Sequence, residues 1–195
     1  GPGLHERVYT SRYTLPPGEG VSVEGVPGPG RPDSVLPIGL EQRFQYLGRY
    51  QPYGIYLPDR RGPHGMQMVF HGTASVMSGL INQPGMQQQL GEQLNRILVV
   101  PEARGQNGFG SGLSERDLLD VMADVQRHYP VDRTRVFSSG YSQGGYITHR
   151  MASLFPDRFA GAVNWVGFTG DGANGTPFKG TRLGYTAGAV GNVID

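Results

Sequence analysis

The sequence predicts an α/β fold: a mostly parallel sheet with helices on both faces. Strand-like and helix-like stretches alternate from residue 66 to 166, the pattern of parallel strands joined by crossover helices. Residues 96–100 (Arg-Ile-Leu-Val-Val) are almost continuously apolar, as a strand covered on both faces must be. A β-branched and aromatic run ends abruptly in Gly140-Tyr141-Ser142-Gln143-Gly144, and a helical pattern starts at once.

Taken in order, residues 4–15 read as a strand with Val8, Tyr9, Tyr13 and Leu15 set among Arg and Thr. Residues 16–32 are rich in Pro and Gly and read as loop. Residues 42–50 and 52–58 are two further strand candidates, and 66–70 is a short apolar strand that runs into His71-Gly72-Thr73. Residues 83–94 predict a helix, with Met86, Leu90 and Leu94 along one face. After the apolar strand, 101–112 is a loop. Ser114 then opens a helix whose first turn holds Glu115 and Asp117, placed to favour the dipole and the cap. Leu118, Met122, Val125 and Tyr129 form its buried stripe and Pro130 ends it. The helix after Ser142 carries Tyr146, Ile147, Met151 and Leu154 and stops before Pro156; residues 159–166 supply one more strand.

The 195 residues suit one domain. Residues 1–50 hold amino-terminal strands and a Gly/Pro-rich loop, 51–167 the core, and 168–195 the start of a lid or connecting segment. A net charge of +1 provides no field for nucleic acid or an anionic membrane. The absence of Cys removes disulfides and a thiolate nucleophile. No apolar run approaches the ~18 residues a membrane span needs, and no signal peptide is visible. His, Asp and Glu do not cluster at ligand spacing, so neither a metal nor another cofactor is expected.

Gly-x-Ser-x-Gly between a strand and a helix is the context of a nucleophile elbow. Ser142 would sit strained at the tip, while Gly140 and Gly144 stay small because strand and helix pass too closely for side chains. Gly145 would give the helix further room. The 71–73 segment, the 101–112 loop, Ser142 and the 167–175 loop all fall at the carboxyl ends of strands, where such sheets bind ligands.

Four stretches together resemble the α/β-hydrolase family: Met68-Val69-Phe70-His71-Gly72, Val131-Asp132-Arg133-Thr134-Arg135-Val136, the elbow with Gly145, and the segment from Phe155-Pro156-Asp157-Arg158 to Ala162. Within it they are similar to the branch of polyhydroxyalkanoate depolymerase-like, feruloyl-esterase-like and prolyl-oligopeptidase-like enzymes. The Gly-Tyr-Ser-Gln-Gly wording also occurs in cutinases, although those are disulfide-bonded and this chain has no Cys. The resemblance covers roughly residues 52 to 167, whereas the first fifty residues match no family pattern. It implies Ser142 as nucleophile, with the Gln143 N–H and the Thr73 N–H as oxyanion donors. His71 and Gly72 would order the oxyanion loop, and Tyr141 would support the site. It also favours a secreted or periplasmic setting and an ester, small or polymeric, as substrate.

A serine nucleophile needs a base, and the base needs an orienting carboxylate. In this fold both follow the serine in the chain. After Ser142 the only histidine is His149, seven residues along the same helix and ~10 Å away by helical rise, out of reach. His5, His64 and His128 read as surface or structural. Of the later carboxylates, Asp157 belongs to a turn, Asp195 is terminal, and Asp171, just past the last strand, is the candidate acid. The expectation is therefore a serine esterase whose remaining strands, histidine and acid come from a companion polypeptide carrying the carboxyl-terminal part of the fold. Peptidase or acyltransferase chemistry would use the same nucleophile, and a non-catalytic binding protein could keep the elbow for its shape. Glu102 either lines the rim or pairs with a loop cation.

Overall fold

The computed structural model describes residues 1–13, 23–24, 42–43, 48–105, 110 and 112–167. Strand β1 is Gly3–Thr10, β2 is Val23–Glu24, β3 is Gln42–Arg43, β4 is Tyr50–Leu57, β5 is His64–Phe70, β6 is Arg96–Pro101, β7 is Val131–Tyr141 and β8 is Gly161–Trp165. Six of them form one sheet in the order β1-β4-β6-β5-β7-β8. The β1–β4 and β4–β6 pairs are antiparallel, and β6–β5, β5–β7 and β7–β8 are parallel. The expected mostly parallel sheet is thus present with an antiparallel margin built from the amino-terminal strands.

Helices lie between the parallel strands: α1 at Met77–Ile81, α2 at Pro84–Met86 running into a π-helical stretch at Gln87–Gln93, α3 at Leu113–His128 and α4 at Gln143–Leu154. On one face of the sheet α3 and α4 bury Leu118, Val121, Met122, Val125, Ile147 and Met151 against Ile55, Met66, Met68 and Val99. On the other, Ile81, with partly buried Met86 and Leu90, covers Val69, Leu98 and Val100. Two covered faces explain why β5 is buried along its whole length.

Several local expectations need correcting. Val23 and Glu24 pair antiparallel with Arg43 and Gln42, so residues 16–32 are not loop throughout. The helix at 83–94 is π-helical over most of its length; Leu94 ends it 43% exposed and leaves the apolar stripe. The helix expected from Ser114 begins one residue earlier, at Leu113, with Gly112 as N-cap at φ 56° and Ser114 buried as its second residue. Asp117 is fully buried rather than facing solvent at the dipole. The short helix α1 had no periodic signature, being only five residues long.

Candidate active site

The carboxyl ends of β5, β7 and β8 meet around the elbow at Ser142. Its backbone stands at φ 55°, ψ −114°, a left-handed conformation unusual for a residue with a Cβ, between the end of β7 and the first residue of α4. The Ser142 N–H donates to the Trp165 carbonyl at 3.2 Å, and the Ser142 carbonyl accepts from the Tyr146 N–H at 3.1 Å. Both ends of the strained residue are therefore tied, one to the neighbouring strand and one to the helix.

The glycines have the steric cause the motif implies. A Cβ on Gly140 would run into the Gly144 carbonyl, and one on Gly144 into the Phe70 carbonyl. One on Gly145 would strike the Asn164 side chain. Asn164 is buried on β8 and closes a tight turn: its Oδ1 accepts from the Gly167 N–H at 2.5 Å and its Nδ2 donates to the Gly167 carbonyl at 3.1 Å. That turn carries Val166, left-handed at φ 59° and 87% exposed. Nothing in the sequence pattern marked Asn164; its role depends on where β8 lies beside α4.

The segment after β5 faces the elbow. The Ser75 N–H donates to the Gly72 carbonyl at 3.2 Å, closing a turn around Thr73 and Ala74, the latter at φ 60°. The Thr73 hydroxyl donates to the side-chain carbonyl of Gln143 at 3.1 Å, joining this turn to the residue after the nucleophile. Gln143 is the first residue of α4, so its N–H has no acceptor within the helix. Gly72 lies under the ring of Tyr141, where a Cβ would come within 3.0 Å of Cδ1. Tyr141 itself is 58% exposed at the mouth. His71 is buried, with Nδ1 3.0 Å from the Gly72 carbonyl and Nε2 3.2 Å from the Glu102 carbonyl, so either ring N–H finds an acceptor. Ser142, Gln143, Thr73, His71, Gly72 and Tyr141 are thus brought together, whereas Asp171 lies outside the described residues.

All five histidines are described and none is hydrogen-bonded to Ser142. His5 bonds the Gly1 carbonyl, His64 the Asn95 amide oxygen and His128 the Asp124 carbonyl. His149 is buried on α4, and its burial lowers its basicity. Among the described residues Glu102 forms no ion pair with Lys or Arg, and it does not lie open at a rim. It is buried, and its carboxylate accepts from the Met77 N–H at 2.9 Å. Burial pushes the Glu102 carboxyl up; the Met77 N–H and nearby His71 pull it partly back. Among the described residues no group of His, Cys, Asp or Glu is placed to hold a metal ion, and no helix is long and apolar enough to cross a membrane.

Comparison with known proteins bears out the fold. The prolyl oligopeptidase family matches residues 85–171. Poly(3-hydroxyalkanoate) depolymerase C of Paucimonas lemoignei is 35% identical over 85 residues, covering 42% of this chain and 19% of that protein. The fluorophosphonate-binding serine hydrolase F of Staphylococcus aureus superposes with a TM-score of 0.63 at 18% identity, over 87% of this chain and 59% of its own. A ferulic acid esterase of Anaeromyces mucronatus, solved with ferulic acid, gives 0.53 at 13% identity over the same shares. The chain therefore spans less than two thirds of the length of each of these relatives. In fold, by these likenesses, the chain is of the α/β-hydrolase type.

Proposed function

We propose that this chain carries the nucleophile and oxyanion hole of a serine carboxylic-ester hydrolase. The observation that carries the reading is the left-handed Ser142 at the tip of the elbow, facing a turn tied to Gln143 through the Thr73 hydroxyl. Ser142 Oγ attacks the ester carbonyl carbon as a base takes its proton. The resulting oxyanion is held by the N–H groups of Gln143 and Thr73, donors of a kind worth about 10²–10³ each in rate. Collapse of the tetrahedral intermediate expels the alcohol, which leaves with that proton, and water then releases the acyl group from Ser142. Tyr141 and Val166, both exposed beside Ser142, offer apolar surface to the substrate. The depolymerase and ferulic acid esterase among the relatives suit a polymeric or aryl ester.

Since no histidine of the chain bonds Ser142, the base and its orienting acid come, in this proposal, from a companion polypeptide that completes the fold. Asp171 is the alternative acid. The same missing contact favours a second reading, a binding protein that keeps the elbow without turnover. Intact-mass analysis of the purified protein after treatment with a fluorophosphonate separates the two. Probe mass on the chain with Ser142, absent in Ser142→Ala and accompanied by a second polypeptide, supports the esterase. A single unlabelled 195-residue species supports the binding protein. Hydrolysis of aryl and alkyl esters against peptide amides, with and without added alcohol acceptors, then distinguishes esterase from peptidase and acyltransferase.

A further inference from the structure

We propose that Glu102 is a positioning residue for the oxyanion hole, clamping the segment from His71 to Met77 at both ends. This inference rests on the esterase reading above for its catalytic consequence, but not for its geometry. Glu102 is the first residue beyond β6, beside the parallel strand β5 from which the oxyanion turn emerges. Its main-chain carbonyl stands 3.2 Å from His71 Nε2, at the entry to the turn. Its carboxylate accepts from the Met77 N–H at 2.9 Å, at the exit. Between these two points lie Gly72, Thr73 and Ala74, including the N–H assigned to the oxyanion. Helix α1, which begins at Met77, has no side-chain cap of its own, as Val76 precedes it. The Glu102 carboxylate holds the first N–H of that helix from the end of the neighbouring strand.

A clamp is useful only if it is itself fixed, and Glu102 is. Its carbonyl accepts from the Gly105 N–H at 3.0 Å, closing a turn in which Ala103 and Arg104 both have positive φ, 54° and 68°. Two consecutive non-glycine residues in this region cost of order 1 kcal/mol each and persist only where the surroundings impose them. Here the imposing group is the Arg104 side chain, which is completely buried. Its guanidinium donates to the Ser11 hydroxyl at 2.6 Å and the Tyr13 carbonyl at 3.0 Å, and its Nε lies 3.5 Å from the Asp117 carboxylate. Asp117 in turn accepts from the Tyr9 hydroxyl. The chain following β1 and the start of α3 thus grip the turn that presents Glu102. A buried carboxylate with this support, bonded to both ends of the oxyanion segment, is better explained as a device for holding that loop than as a chance core acid.

The test compares Glu102→Ala and Glu102→Gln in the full protein, with any companion chain present. The Gln side chain keeps an oxygen in reach of the Met77 N–H; Ala does not. Hydrogen–deuterium exchange should rise about tenfold or more across residues 72–80 in Glu102→Ala, stay near wild type in Glu102→Gln, and remain unchanged in α3. If Glu102→Ala does not fold, Glu102→Asp, whose oxygen is drawn back by one methylene, takes its place. Ester turnover should fall about tenfold or more in the Ala or Asp variant, in kcat rather than KM, and recover in the Gln variant. Unchanged exchange at 72–80, or a rise spread equally over α3 and β4, overturns the clamp. A wild-type protein that is never labelled at Ser142 instead overturns the esterase reading, and the exchange data still decide the clamp.

Discussion

The elbow at Ser142 and the turn after β6 both hold non-glycine residues in left-handed conformations, and they do so by opposite means. At the elbow the conformation is permitted by side chains that are missing: Gly140, Gly144 and Gly145 let β7, α4 and β8 close on one another until a single methyl would not fit. At Ala103 and Arg104 it is enforced by a side chain that is present, the buried Arg104 guanidinium with its Ser11, Tyr13 and Asp117 partners. Space made by glycine is local to the motif. A grip made by arginine depends on residues some ninety positions away.

The largest effects should come from filling the space at the elbow. In Gly144→Ala the new Cβ meets the carbonyl oxygens of both Phe70 and His71, backbone atoms that cannot swing aside. The expected loss is about 3 kcal/mol or more, read as a lower denaturation midpoint. Gly85→Ala, whose Cβ would meet nothing within 4 Å, is the control and should be neutral or slightly stabilising by about 0.5 kcal/mol.

Next comes the grip. Arg104→Met keeps the volume and removes the charge, leaving Asp117 buried beside Tyr9 and at a distance from Asp120. A loss of about 3 kcal/mol at pH 8 is expected, since stranding one partner of a buried pair is costly. The pH dependence sharpens this. Burial pushes the Asp117 carboxyl up to about 6, against the pull of the Tyr9 hydroxyl and Arg104. The folded protein then binds a proton that an unfolded Asp, with a pKa of about 3.9, gives up, so stability falls as pH rises from about 4 through about 6. Without Arg104 the carboxyl shifts higher still. The deficit of Arg104→Met should therefore be clearly smaller at pH 5 than at pH 8 in paired urea titrations; an equal deficit at both would mean that Asp117 is not the stranded group.

The two regions also differ in how far the sequence disclosed them. Spacing revealed the elbow because its cause, three glycines around one serine between a strand and a helix, is written within six residues. The alternation of elements disclosed the central parallel sheet for the same reason. Asp117 misled, because an acid in the first turn of a helix ordinarily faces solvent, and only the approach of Arg104 and Tyr9 makes its burial tolerable. Asn164 was illegible, and Glu102 was placed at the rim without its partner: each bonds a main-chain N–H, at Gly167 and Met77, that only the folded chain brings near. The π-helical stretch at Gln87–Gln93 escaped as well, since apolar residues at intervals of four suit either helix over so short a span.

The smallest effect separates strain that is merely tolerated from strain that is put to use. Replacing a left-handed residue by glycine removes a penalty of about 1 kcal/mol, offset by the greater freedom glycine has when unfolded, about 0.5–1 kcal/mol. Ala103→Gly should therefore change stability by no more than a few tenths of a kcal/mol, and should leave fluorophosphonate labelling intact, because Arg104 still sets the turn. Ser142→Gly should fall in the same narrow range of stability while abolishing labelling. If Ala103→Gly instead lowered the labelling rate together with amide protection at Met77, the turn's own stiffness, and not only the arginine that holds it, would be helping to set the oxyanion loop.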